Sequence, residues 1–252
     1  MTNLNNTVDT LHIRHVPLTR PFIWLRSGWD DILHHCAASL AYGLLVSILG
    51  ALILAYNQHP FYIAAVCIGF MLVGPIMTAG CCELSRLQEA GEQANFQDSL
   101  RPLQRNRGGL LPLAQALALL ALIWIALSTA IYSGVIGAPA PAVAEAVGGD
   151  VLLLLSGAQI MAYLAVGLVF STAVFTLTVV AVPMIVERHV DARTAMRTSA
   201  KVTLRELPAM MLWAALIVLL LFVAFSTHLV GMVFVFPLLA HATWHAYREL
   251  VT

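Results

Sequence analysis

Charge is scarce in this chain: of 252 residues only 10% are Asp, Glu, Lys or Arg, where a soluble domain carries about 25%. So few charges cannot cover a water-facing surface. Neither sign is in excess, since thirteen basic residues meet thirteen acidic ones and the isoelectric point is near 7.1. That balance argues against a nucleic-acid partner, which would need a broad basic face. The four cysteines, Cys36, Cys67, Cys81 and Cys82, show no C-x-x-C spacing and lie within or at the ends of apolar stretches. They read as small buried hydrophobes, not as a metal or redox set. The polar N-terminus, with Asp9, Asp30 and Asp31, has no short basic region leading into an apolar core, so a cleaved signal peptide is not expected. No Asp, Glu, Lys or Arg lies well inside an apolar run, as proton relays and voltage sensors require. No signature of a reaction or of a cofactor stands out.

What the chain does have is apolar length: 60% of it is hydrophobic and its mean hydropathy is +0.85. A hydrocarbon core about 30 Å thick takes roughly 20 helical residues. Runs of that length predict an all-α polytopic membrane protein with six transmembrane helices, over 36–56, 61–82, 110–132, 158–182, 209–225 and 229–247. Residues 1–18 are expected to be a disordered cytoplasmic tail and 19–252 a single six-span domain. Val151 to Val186 is too long for one straight span, at about 54 Å for 1.5 Å per residue. It is divided into an interfacial or re-entrant piece over 142–156, a bend at Gly157 and a span. Only helices satisfy every backbone group in lipid without closing a barrel, so the spans should be helical.

Threaded this way, all thirteen Lys and Arg fall on one side of the membrane. Cytoplasmic loops retain positive charge, which places both termini in the cytoplasm of a bacterial inner-membrane protein and makes 133–150 the one sizeable outer segment. The two long cytoplasmic loops both read as amphipathic helices along the membrane surface. In the second, Arg193, Arg197, Lys201 and Arg205 recur every four residues and share a helix face, opposite Ala192, Ala195, Ser199 and Val202. In the first, Phe96, Leu100 and Leu103 form the apolar stripe, with Arg101 and Arg105 four apart. Such cations either fix topology alone or bind anionic headgroups or an acidic partner, a membrane protein or a second copy. Ahead of the first span, Trp24 and Trp29 flank Arg26, a pattern suited to an interfacial anchor or a docking strip.

Each loop follows a proline-bearing segment, Gly74-Pro75 or Val182-Pro183, and precedes a span with a proline near its start, Pro112 or Pro208. The two copies run in the same direction, which suggests a parallel internal repeat of the kind some transporters use. One pair of residues suits metal chemistry. His241 and His245 are four apart and share a helix face, so they are candidate ligands for a single metal, with His34 or His35 completing the site. They could not sandwich one haem between them. A hydrogen-bonded interior role for His241 and an interfacial one for His245 are the alternative.

Several motifs are familiar. Trp24-Leu-Arg-Ser-Gly-Trp-Asp30, Val73-Gly-Pro75 followed by Glu83-Leu-Ser, Val182-Pro-Met184, and Pro237-Leu-Leu-Ala-His-Ala-Thr-Trp-His-Ala-Tyr-Arg248 closely resemble a bacterial family of predicted integral membrane proteins of unknown function. The resemblance runs from about Leu18 to Val251 and implies the six-span architecture. Some members carry a label relating them to cytochrome c oxidase subunits; this chain lacks the spread of histidines over several spans that the catalytic oxidase subunit needs for haem and copper. Glu187 with Ala195-Met196 and Ser199 is also similar to the membrane modules of some glycerophosphodiester phosphodiesterases. Three functions follow as expectations: a non-catalytic scaffold or accessory protein of a membrane assembly, a transporter or channel for a neutral or lipid-like solute, and a metal- or haem-binding redox subunit.

Overall fold

A computed structural model describes residues 12–55, 74, 77–136 and 157–251. These are almost wholly helical: α1 Arg20–His34, α2 Cys36–Ala55, α3 over 77–89, α4 Phe96–Ser99, α5 Arg101–Arg105, α6 Arg107–Ile136, α7 Gly157–Thr178, α8 Ala181–Arg188, α9 Ala192–Arg205, α10 Leu207–Ser226 and α11 Met232–Leu250. Three stretches are long and apolar enough to cross a membrane, Arg107–Leu127, Ala165–Arg188 and Leu207–Ser226, and α1 with α2 makes a fourth if that pair, bent by 108°, counts as one. The six expected spans are thus three or four among the described residues. The body of the expected second span lies outside them, as do the turn at 57–60 and the expected interfacial piece at 142–156. The sixth, α11, has the length, but Thr243, His245, Arg248 and Glu249 in its second half make it too polar.

Burial is uneven. The most apolar window of each of the three spans is only 22% buried, and Leu119, Leu168, Val169, Val218 and Phe222 stand exposed on α6, α7 and α10. Apolar surface of that extent is stable facing lipid, not water. The ends of the helices, in contrast, pack as densely as a soluble core. There Trp24, Leu113, Ile185, Ala195, Val202, Met210, Trp213, Trp244, Tyr247 and Leu250 form one cluster.

The centre of this packed end is α11, flanked by α1 and α2. Glycine permits both approaches. A Cβ on Gly28 would sit 2.7 Å from the Ala242 amide nitrogen and 2.9 Å from the Leu238 carbonyl oxygen, and a Cβ on Gly43 would overlap the Val233 carbonyl. Residues 12–18, expected to be part of a disordered tail, are also held here. Ile13 bridges antiparallel to Val251, the Arg14 amide donates to the Leu250 carbonyl at 3.1 Å, and Val16 is buried.

The two loop helices follow a common local plan. Asn95 caps α4, its Oδ1 accepting from the Gln97 and Asp98 amides at 2.8 and 3.2 Å while Asp98 accepts the Asn95 amide at 3.0 Å. Asp191 caps α9 through the Arg193 and Thr194 amides at 3.1 and 3.2 Å. Side-chain oxygens here satisfy amides that have no partner inside the helix. At the far ends stand Asn106 (φ −114°, ψ 22°) and Glu206 (φ −107°, ψ 37°). Each closes one helix through its amide, to Pro102 or Val202, and opens the next through its carbonyl, to Leu110 or Met210. Both corner side chains are buried.

The expected fourth span, 158–182, is helical from Gly157, where the described residues resume, but breaks at Val179 and Val180, and α8 continues it to Arg188. Pro183 has no N–H to give the Val179 carbonyl, so the ladder fails one turn earlier. Ser199 of α9 fills the break: its hydroxyl donates to the Thr176 carbonyl at 2.8 Å and accepts the Val180 amide at 3.4 Å. Those are the two groups that a continuous helix would pair with each other. A side chain inserted into the i→i−4 ladder is a recognised cause of a helix bend.

Candidate functional site

The packed end contains ionisable side chains that belong to separate helices and meet in its interior. The largest group joins four helices. Ser85 of α3 donates to Asp31 Oδ2 of α1 at 2.5 Å and lies 2.7 Å from His241 Nδ1 of α11. Since the one hydroxyl proton of Ser85 goes to the carboxylate, which can only accept, His241 must donate from Nδ1. Its Nε2 is then the acceptor for Ser39 of α2, at 3.0 Å. His245 completes the group by donating from Nε2 to Asp31 Oδ2 at 2.9 Å. Asp31, Ser39, Ser85 and His241 are all buried. Serine, histidine and aspartate meet here, but the serine proton is committed to Asp31 and not to the imidazole. The arrangement joins α1, α2, α3 and α11.

A second group surrounds Glu83, which is fully buried. Arg86 grips it with two bonds of 2.8 Å, and Arg105 adds a third at 3.1 Å. The carboxylate in turn raises the Arg86 pKa above its ordinary value. Arg105 and Asn106 both donate to the Val186 carbonyl, at 3.4 and 3.3 Å, and His189 Nδ1 donates to Asn106 Oδ1 at 2.5 Å. Partial burial, followed by the Arg105 charge, lowers the His189 pKa. Loop helix α5, the end of α8 and α3 are thereby fixed to one another.

Further ion pairs close the layer around α11. Arg248 bridges Glu89 at 3.0 Å and Glu187 at 2.6 Å, Tyr247 donates to Glu187, and Arg188 donates to the Tyr247 hydroxyl at 2.9 Å. Trp244 Nε1 donates to Glu89 at 3.0 Å, and Trp24 Nε1 to Glu249 at 2.7 Å, where Arg20 also lies 2.5 Å away. Glu206 accepts from His15 Nδ1 at 2.9 Å and from the Val16 amide at 3.2 Å. Burying a charge is costly unless it is paired and hydrogen-bonded. Asp31, Glu83 and Glu206 each meet that condition.

The residues singled out in the sequence divide between this interior and its surface. Arg193, Arg197, Lys201 and Arg205 are exposed on α9, and among the described residues none has a side-chain ion pair or hydrogen bond. Ala192, Ala195, Ser199 and Val202 are buried on the opposite face. Arg26 and Trp29 are exposed with Phe22 and Leu33 on one side of α1. Trp24 corrects the expectation of an anchoring pair. It is 1% exposed, with its ring edge-on to Trp213 at 5.8 Å between centroids. Both histidines lie near one carboxylate, Asp31, whose Oδ2 is 3.7 Å from His241 Nδ1 and 2.9 Å from His245 Nε2. His241 bonds two serines and His245 bonds Asp31, and no three His, Cys, Asp or Glu converge as metal ligands among the described residues.

Sequence reading missed Asp31, Glu83 and Glu206 as buried charges. The one local signal was Arg86, three residues after Glu83, where the apolar run ending at Cys82 gives way to polar residues. No curated protein and no solved structure matches the chain. The C-terminal Pro237-to-Arg248 run lies outside the stretch for which a family model is found. The chain is an integral membrane protein, and over residues 63–187, which include Glu83, Ser85, Arg105 and Asn106, it matches the model of a family described as predicted integral membrane protein (DUF2189).

Proposed function

We propose that the protein is a non-catalytic scaffold or accessory subunit of a bacterial inner-membrane assembly, with the packed end and both termini in the cytoplasm. The supporting observation is where its ionisable groups go. Asp31, Glu83, Glu89, Glu187, Glu206 and Glu249 all pair within the chain, and they link α1, α3, α5, α8 and α11 with the segment that precedes α1. Such a layer makes a rigid platform. It leaves Phe22, Arg26, Trp29 and Leu33 on α1 facing outward, and Trp and Arg are residues that interfaces enrich. Co-purification from native membranes in mild detergent, followed by mass spectrometry, tests the reading: it expects a stoichiometric membrane-protein partner or a homo-oligomer. A monomer with no partner would remove the scaffold reading. Orientation is tested separately in a background without native cysteines. Arg105→Cys should resist an impermeant thiol reagent in spheroplasts, while Ala140→Cys should react.

A second reading, a transporter or channel for a neutral or lipid-like solute, draws on the matching corners at Asn106 and Glu206 and on the interrupted helix at Val180. These features fit a parallel repeat. Uptake of neutral solutes into proteoliposomes no faster than into empty vesicles would dismiss it.

A further inference from the structure

We infer that the outer face of α9 is a seat for anionic phospholipid headgroups. This inference relies on the orientation proposed above but not on the scaffold role. Arg193, Arg197, Lys201 and Arg205 are spaced about 6 Å apart along the axis and span about 18 Å. Their local carboxylates are engaged elsewhere. Asp191 caps the helix, and the Thr194 hydroxyl, followed by the Thr194 and Arg193 amides, holds its carboxyl below the usual range. Glu206 is buried against His15 and Val16, and Glu187 is bound to Tyr247 and Arg248. The stripe therefore has no counter-ion of its own among the described residues.

Its surroundings favour lipid over an acidic protein. Leu204 lies within the arc of the four cations on a 3.6-residue helix and is 72% exposed. From there the chain passes directly into α10, a span whose first turns expose Leu207 and Met211. Cations interleaved with an exposed leucine, and continuous with the apolar surface of a span, match the level where headgroups meet acyl chains. Long basic side chains lie along apolar surface there and extend their charges to phosphate. The buried face of α9 meanwhile rests on α7 and α8, so the stripe is held at fixed depth.

The test is hydrogen exchange of the intact protein in nanodiscs made of phosphatidylcholine alone or with phosphatidylglycerol. Each basic residue near a negative surface contributes about five-fold in affinity. Exchange across 192–205 should accordingly be about ten-fold slower or more in the anionic discs, and 0.5 M salt should erase the difference. The quadruple change Arg193→Gln, Arg197→Gln, Lys201→Gln, Arg205→Gln should lose it, while Arg193→Lys, Arg197→Lys, Arg205→Lys should keep it. If the quadruple variant inserts wrongly, Leu204→Asp keeps all four cations for topology and should still lose most of the difference. Equal exchange in both discs would overturn the inference. So would protection that Leu204→Asp leaves intact, or protection found only in native membranes, which would indicate an acidic protein. Partner recovery is unaffected by the first of these outcomes, so the two proposals fail separately.

Discussion

Arg86, Arg105, Arg188 and Arg248 are chemically the same as Arg193, Arg197 and Arg205, yet the first set is bound to carboxylates in the packed end and the second faces outward from it. The difference comes from the carboxylates: Glu83 and Glu187 stand beside Arg86 and Arg188 on the same helices and draw in Arg105 and Arg248 from others, whereas α9 has no Asp or Glu between Ala192 and Arg205. In the first set, losing a partner strands a charge. In the second, the partner is whatever lies outside the protein. Stability and surface attraction are thus assigned to different arginines, and substitutions should separate them.

The largest effect expected on the inner set is that of Arg86→Ala. It removes two of the three bonds to the fully buried Glu83 carboxylate, and breaking a buried ion pair by removing one partner costs about 3–5 kcal/mol. Thermal unfolding in detergent should show a large loss; a change under about 0.5 kcal/mol, typical of surface sites, would abolish the distinction between the sets. Ser199→Ala comes next. It removes the hydroxyl that satisfies both Val180 N–H and Thr176 C=O, and a buried unpaired group costs about 1–3 kcal/mol. If the ladder reforms without the serine, the loss shrinks toward zero.

A smaller effect is a dependence on pH at His189. Its pKa is lowered in the fold, so the unfolded chain takes up the proton first as pH falls. Its stabilising share is complete above its ordinary value of 6.5 and declines as pH drops from there through the lowered folded value. His189→Gln should flatten the stability profile over that range, and an unchanged slope would show that the proton is taken up elsewhere. Smallest of all is Arg197→Gln alone, which should change stability by less than about 0.5 kcal/mol in the same detergent assay. A larger loss would move Arg197 into the structural set.

The helices near 110, 158 and 209 and the division of α9 into two faces were legible because they depend on local periodicity. Trp24 and Trp29 show where that reading could have gone further. Five residues apart on a helix, they lie about 140° from each other and cannot both face lipid. Choosing which one turns inward required Trp213 and Glu249, nearly two hundred residues or more away. The buried carboxylates were hidden for the same reason. Asp31 meets Ser85 and His245 across 54 and 214 positions, and Ser85 meets His241 across 156. No window along the chain contains both members of any of these pairs. Lengths and caps are local properties, whereas a closed ionic layer belongs to the assembled bundle.

The hydroxyl of Ser199 also has a mechanical meaning. Its two bonds join a helix that lies across the packed end to the interior of a membrane span. Lifting α9 must break both, and the Val180 amide and Thr176 carbonyl it releases can pair only if the span straightens. The seating of α9 and the bend of the span therefore rest on the same two bonds.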